Sequence, residues 1–234
     1  MRRDGDLAKT FEATLLRPVA RAADIDALCA AASDGHYAGV VVFPCWVSRA
    51  RARLTGTDVR ITAAIAFPYG GEAARTKAIA ADLAVAQGAD EVEVVALLPA
   101  LASGDLLPVR DELAAIVRAV RLRSRDTGRD VLVKAIVETC YLDEAGKRLA
   151  AEAVESAGCD AIVTSTGVGP EGATEHDVSL LRGALPAHVG VKAAGGILSL
   201  ADARLLLAAG ASRLGAPASA VYAILAEAEE TDGR

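Results

Sequence analysis

Three ionisable residues interrupt runs that are otherwise apolar: Glu93 in EVEVVAL, Lys134 in VLVKAIVE and Lys192 in VGVKAAGG. An ion inside a hydrophobic strand must be paired or must neutralise, because desolvation costs several kcal/mol per charge. One such residue reads as a core ion pair or as a charge snorkelling to the surface. Three in separate runs, with none expected in the other apolar runs, point to an active site. Two amines brought together in low dielectric lower each other's pKa and expose a neutral nucleophile, and a carboxylate beside them can relay protons. Glu91 has the parity of Glu93 and is expected lower in the strand, with a structural role. Glu138, ending the VLVKAIVE run, is a second candidate acid, with support of a loop as its other reading.

Small-residue turns follow the later runs: TSTGVG (164–169), AAGG (193–196) and GAPAS (215–219). Such turns cradle phosphate through backbone N–H groups and a helix N-terminus, or are simply tight connections. AAGG running into Ser199 fits the first use, while Pro217 in GAPAS has no N–H to give.

The elements that must position these residues alternate along the chain. Strands are predicted over 10–16, 39–44, 59–67, 91–98, 131–138, 161–166, 189–194 and 213–216. Helices are predicted near 21–33, 46–54, 72–87, 106–124, 143–157, 174–184, 199–209 and 217–230. Eight strand–helix pairs imply parallel strands with helical crossovers, in an α/β fold. AQGADEVEVV, SAGCDAIVTS and AAGASRLGAP repeat one order of helix end, glycine stop and strand start, with Gly88, Gly158 and Gly210 at the stop. The count of eight, with no G-x-G-x-x-G after the first strand, favours a closed (β/α)₈ TIM barrel over an open sheet. No linker divides residues 1–234, so a single domain is expected. In such a barrel alternate strands supply each interior layer. Lys134 (fifth strand) and Lys192 (seventh) can therefore share a layer, as can Glu93 (fourth) and position 163 (sixth).

Bulk composition agrees. The 234 residues are 53% hydrophobic and only 3% aromatic, so the core must be built from small and branched aliphatics. The net charge of −6 and the lack of a basic cluster with aromatics leave nucleic acid no electrostatic footprint. The basic stretch 118–129 reads as the outer face of a helix. Cys29, Cys45, Cys140 and Cys159 have no C-x-x-C spacing and are expected as buried free thiols, without a metal site. The opening MRRDGDLAKT has no leader core, and no apolar run reaches the roughly 18 residues of a membrane span. A cytoplasmic protein with no membrane or nucleic-acid partner is expected.

Across nearly the whole chain, ATLLRP (13–18), FPCWV (43–47), AFPYG (66–70), GADEVEVV (88–95), LVKAIVETC (132–140), AGCDAIVTSTG (157–167), GATEHDV (172–178), GVKAAGG (190–196) and RLGA (213–216) resemble the deoxyribose-phosphate aldolase family. The resemblance implies a class I aldolase without metal or other cofactor, acting on a small carbonyl or sugar-phosphate-like molecule, and possible homodimerisation. It places the imine-forming lysine directly before T-S-T-G, where this chain has Val163. The family's second and third lysines match Lys192 and Lys134, and its proton-relay aspartate matches Glu93. The D-x-T of the first strand reads Glu12-Ala13-Thr14. An asparagine is replaced by Phe43, and two phosphate-side serines by Pro217 and Ala218. Carried over residue by residue, the catalytic set is Lys192, Lys134 and Glu93. The substrate-facing set is Thr14, Val163, Thr164, Ser165, Thr166, Gly167, Gly195, Gly196 and Gly215.

Valine cannot form an imine, so the site is expected to be redirected. Lys192, or in second place Lys134, becomes the amine, with Glu93 shuttling protons. An isomerase, cyclase or dehydratase that uses the lysines as cations is the alternative, followed by a barrel without catalysis.

Overall fold

The protein is described by a computed structural model covering residues 7–232. The opening MRRDGD, part of the stretch expected to lack a leader core, lies outside the described residues. Eight strands, β1 (Phe11–Leu15), β2 (Gly39–Val42), β3 (Arg60–Ile65), β4 (Glu91–Val95), β5 (Leu132–Ile136), β6 (Ala161–Val163), β7 (Gly190–Ala194) and β8 (Arg213–Pro217), pair in parallel and in sequence order. β8 closes on β1, which makes a barrel. The helices are α1 (Ala22–Asp34), α2 (Val47–Leu54), α3 (Ala74–Ala86), α4 (Leu98–Ala102), α5 (Leu106–Thr127), α6 (Glu144–Ser156), α7 (Glu175–Ala184), α8 (Leu200–Ala208) and α9 (Ala218–Asp232).

Strand parity sorts the core. Phe11, Ala13, Val40, Val42, Ile61, Ala63, Val92, Val94, Val133, Ala135, Ile162, Val191, Ala193 and Leu214 face the helix layer in one apolar cluster. The alternate positions face the bore, where the ionisable residues stand. The glycine stops behave as expected: Gly88, Gly158 and Gly210 have φ of 115°, 79° and 112°, a left-handed region without a Cβ penalty.

Most strand ends fall within one or two residues of expectation, while β4 and β6 each stop three residues early. β4 ends at Val95 rather than 98, because Pro99 opens the short α4 there. β6 ends at Val163 rather than 166, since the Thr166 amide turns to the Glu138 carboxylate instead of a strand neighbour. β8 runs one residue further, to Pro217.

The basic stretch lies on α5 and latches it to its neighbours, through Arg121 to Asp160 at 2.7 Å and Arg123 to Asp82 at 2.8 Å. Cys29 and Cys159 are buried, and burial pushes their thiols up to about 11 and about 12. The expectation that all four thiols are buried is corrected by Cys45, which is exposed, and Cys140, which is half-buried. Both sit in the turns after β2 and β5, not in an element facing the core. Among the described residues no helix is long and apolar enough to cross a membrane.

Candidate active site

Glu12 of β1, Thr62 of β3, Lys134 of β5 and Lys192 of β7 meet across the bore, one from each odd-numbered strand, as one barrel layer requires. Lys134 Nζ donates to Glu12 Oε1 at 2.8 Å and Oε2 at 2.6 Å, and lies 2.8 Å from Glu91 Oε2. Lys192 Nζ donates to Glu12 Oε2 at 2.6 Å and embraces both Glu93 oxygens, at 2.8 and 3.0 Å. All five ionic residues are 3% exposed or less. Arg60, 3.4 Å from Glu91, and Arg213, 3.8 Å from Glu12, add charge where β3 and β8 begin. Three carboxylates therefore face two ammonium groups, flanked by two guanidinium groups.

The two lysines do share a layer, but at Lys134 the electrostatics reverse the expectation for paired amines. Burial alone would weaken the Lys134 ammonium, yet Glu12, Glu91 and Glu93 outweigh it and hold its pKa well above the ordinary lysine value. Burial would likewise push Glu12 up. The charges of Lys134 and Lys192 prevail, and its carboxyl is held far below the usual range. A carboxylate shared by two ammonium groups offsets their mutual repulsion. Glu91, expected to stand apart as structural, is part of this network through Lys134.

Val95, Ile136, Val163 and Ala194 form a second, separate apolar cluster on bore-facing positions, with Phe67 and Leu98 packed against it. Each lies one bore-facing step beyond Glu93, Lys134, Ala161 and Lys192 on its own strand, so a collar of aliphatic groups tops the ionic layer. Val163 is the register partner of Lys192. Phe67 meets Phe43 edge to face, with ring centroids 6.1 Å apart.

The side towards β8 is more open. Gly215, the register partner of Glu12, would carry a Cβ 2.9 Å from Lys192 Cε. Its missing side chain makes room for the lysine. One bore-facing step above Glu12 and Gly215 are Thr14 and Pro217, themselves register partners. They line a cleft of about 580 Å³ together with Leu15, Arg17, Ala218 and Ser219. That volume is within the range of small-molecule sites.

The other expected substrate-facing residues divide. Thr164 is clipped to β7, its hydroxyl donating to Ala194 O at 3.3 Å and accepting from Ala194 N at 3.1 Å. Thr166 Oγ1 accepts from Val168 N, within its own turn. Gly167 and Gly195 have positive φ and pack on one another, since a Cβ on Gly195 would come 3.0 Å from Gly167 Cα. Gly196 faces open space. Ser165 shares the bore-facing parity of Val163, and its buried hydroxyl has no protein partner. Glu138, in the left-handed region at φ 48°, accepts from the Thr166 amide at 3.1 and 3.2 Å, the loop support named as its second reading.

Glu12 did not enter the catalytic set drawn from the sequence, although FEATL carries a charge inside a strand just as VLVKAIVE does. A second omission is the buried pair of Lys77 on α3 and Glu112 on α5, 2.8 Å apart, with Lys77 also donating to Val95 O at 2.9 Å. The helical spacing of Lys77, Ala81, Ala84 and Val85, all on the buried face of α3, was the available signal.

No protein-family model matches the chain. A deoxyribose-phosphate aldolase of Thermoanaerobacter sp. (strain X514) is 41% identical over 213 residues, which is 91% of this chain and 93% of that one. Among solved structures, a putative deoxyribose-phosphate aldolase from Coccidioides immitis superposes with a TM-score of 0.89 at 33% identity, covering 97% of this chain and 87% of the other. The deoxyribose phosphate aldolase of Aeropyrum pernix, described as a tetramer, superposes at 0.87 with 29% identity, covering 98% and 93%. With that identity over nine-tenths of its length, and with the same barrel, the chain belongs to the deoxyribose-phosphate aldolase family.

Proposed function

We propose that the chain is an aldolase-type C–C lyase acting on a small carbonyl or sugar-phosphate-like substrate, with Lys192 as its reacting amine and Glu93 as its proton relay. The observation that carries this reading is the contact of the Lys192 amine with both oxygens of Glu93, at 2.8 and 3.0 Å, in the buried bore of the barrel. Lys134 is the weaker candidate, because Glu12 and Glu91 both bind it and no shared oxygen links it to Glu93 by a hydrogen bond.

Chemistry at this pair runs as follows. Proton transfer from the Lys192 ammonium to Glu93 leaves a neutral amine and a neutral acid, which a low-dielectric bore tolerates better than separated charges. The amine adds to the carbonyl carbon, and loss of water leaves an iminium. Glu93, ionised again, takes the proton of the β-hydroxyl as the bond between the α and β carbons breaks. The bond's electron pair moves into the iminium, which forms an enamine, and an aldehyde departs. Glu93 returns its proton to the α carbon, and water then releases the second carbonyl product. Ser165 offers the buried substrate a free hydroxyl, and the cleft beside Thr14 and Pro217 carries Arg17 with Asp24 3.8 Å from it.

The carboxylates held against both amines favour one other reading, in which the lysines act as fixed cations that stabilise an enolate and Glu93 moves the proton without an imine. Retro-aldol rates of Lys192→Arg, which keeps the charge but not the nucleophile, and of Glu93→Gln decide between them. Loss of at least about 100-fold in both supports the amine as nucleophile. Activity surviving in Lys192→Arg but not in Glu93→Gln supports the cationic reading.

A further inference from the structure

The bore holds a carboxylate that the steps above do not use. Glu12 crosses from β1 to the opposite wall, and its Oε2 lies 2.6 Å from the Nζ atoms of both Lys134 and Lys192. It can reach because its register neighbours on either side, Gly39 and Gly215, have no side chains to block it. The charged groups around Lys192 are Glu12 from β1, Glu93 from β4 and Lys134 from β5. Glu91 of β4 is reached through Lys134, and Arg213 of β8 stands 3.8 Å from the other oxygen of Glu12.

Two carboxylates therefore compete for the Lys192 proton, and their surroundings differ. Glu12 faces two ammonium groups and a guanidinium, whereas Glu93 accepts one hydrogen bond, from Lys192 to Oε2, and its Oε1 lies 2.8 Å from the same amine. A carboxylate surrounded by more cations is the poorer base. Glu12 thus stays ionised, and Glu93 is left to accept.

We propose that Glu12 is a positioning residue that sets the pH at which Lys192 becomes nucleophilic, pinning its amine against Glu93 as an ammonium until the proton is passed on. This rests on Lys192 as the reacting amine, and its test is separable from that reading. The probe is the ε-carbon of Lys192, followed by ¹³C NMR over pH in lysine-labelled protein and assigned with Lys192→Met. In Glu12→Gln the amine faces Lys134 with only Glu93 to offset it, and its midpoint falls by at least about one pH unit, a tenfold gain in neutral amine. In Lys134→Met the whole of Glu12 goes to Lys192, and the midpoint rises. Should Glu12→Gln fail to fold, Glu12→Asp, whose carboxylate is one methylene too short to hold the 2.6 Å contact with Lys192, carries the test with the same sign. A Lys192 that titrates alike in Glu12→Gln and the parent, or a midpoint that falls in Lys134→Met, overturns the proposal. Borohydride trapping with acetaldehyde on the same proteins separates the two ideas. No adduct despite the shifted midpoints removes the imine and leaves Glu12 its role; an adduct with unmoved midpoints does the reverse.

Discussion

Val163 and Lys192 are register partners on β6 and β7, so an inert aliphatic side chain and a buried amine stand side by side at the junction of collar and ionic layer. What the amine can do depends on that neighbour, because valine offers neither charge to repel it nor a second nucleophile.

Replacing Val163 with lysine restores an amine at the position the family resemblance assigns to the imine. The variant is expected to cleave 2-deoxyribose 5-phosphate at least about tenfold faster than the parent and to carry a borohydride-reducible adduct at residue 163. Burying a third amine also lowers stability by about 3–5 kcal/mol unless it is neutral, which thermal melts read directly. A folded variant with no gain in cleavage would show that more than this side chain separates the chain from the family's chemistry.

Gly215 makes room for Lys192. In Gly215→Ala the new Cβ meets Lys192 Cε at 2.9 Å and Ala194 Cβ at 3.1 Å, so the lysine must swing away from Glu12. Overpacking of this kind costs about 1–3 kcal/mol. Steady-state kinetics should show kcat reduced by about tenfold or more with a smaller change in KM, since the amine proposed to react moves more than the cleft does.

Much of this site was legible in the sequence, and the reasons for what was not are physical. Lys134, Lys192 and Glu93 announce themselves because a charge inside an apolar strand has few explanations, and strand parity then sends all three into the bore. Glu12 sits between Thr10 and Thr14, which share its parity and make the run look half-polar, and only the closing of β8 on β1 brings it to the lysines. The upward direction at Lys134 was obscured for the same reason: two amines were visible in the sequence and the carboxylate between them was not. Chain order gives the barrel, but it does not give which loop residues turn inward. Thr164 and Gly195, expected at the substrate, also make contacts that no motif announces, to β7 and to Gly167.

Stability should depend on pH through the ionic layer. Glu12 has a folded pKa below its ordinary 4.5, so its contribution is present above that value and lost as pH falls towards the folded one. Lys134 is raised above its ordinary 10.5, so its contribution is complete below that value and lost as pH climbs through the folded one. Chemical denaturation over pH should therefore show a plateau between about 4.5 and 10.5. Glu12→Gln should flatten the acid limb and lower the plateau by about 3–5 kcal/mol, the penalty for stranding buried ammonium groups.

Lys77 and Glu112 form an ion pair with almost no access to water. Burial outweighs the lysine's pull and raises the carboxyl above its ordinary value, which marks the pair as an imperfect exchange for lost hydration. Lys77→Met alone should cost about 3–5 kcal/mol, whereas Lys77→Met with Glu112→Leu should be neutral or stabilising by about 1–4 kcal/mol. Urea unfolding of the single and double variants checks both.

Lys192 as the reacting amine is tested most directly by reducing the protein with borohydride in the presence of a carbonyl substrate and mapping the labelled peptide. Modification confined to Lys192, and abolished in Lys192→Met, is the expected result. Label at Lys134, or turnover without label on either lysine, would contradict it.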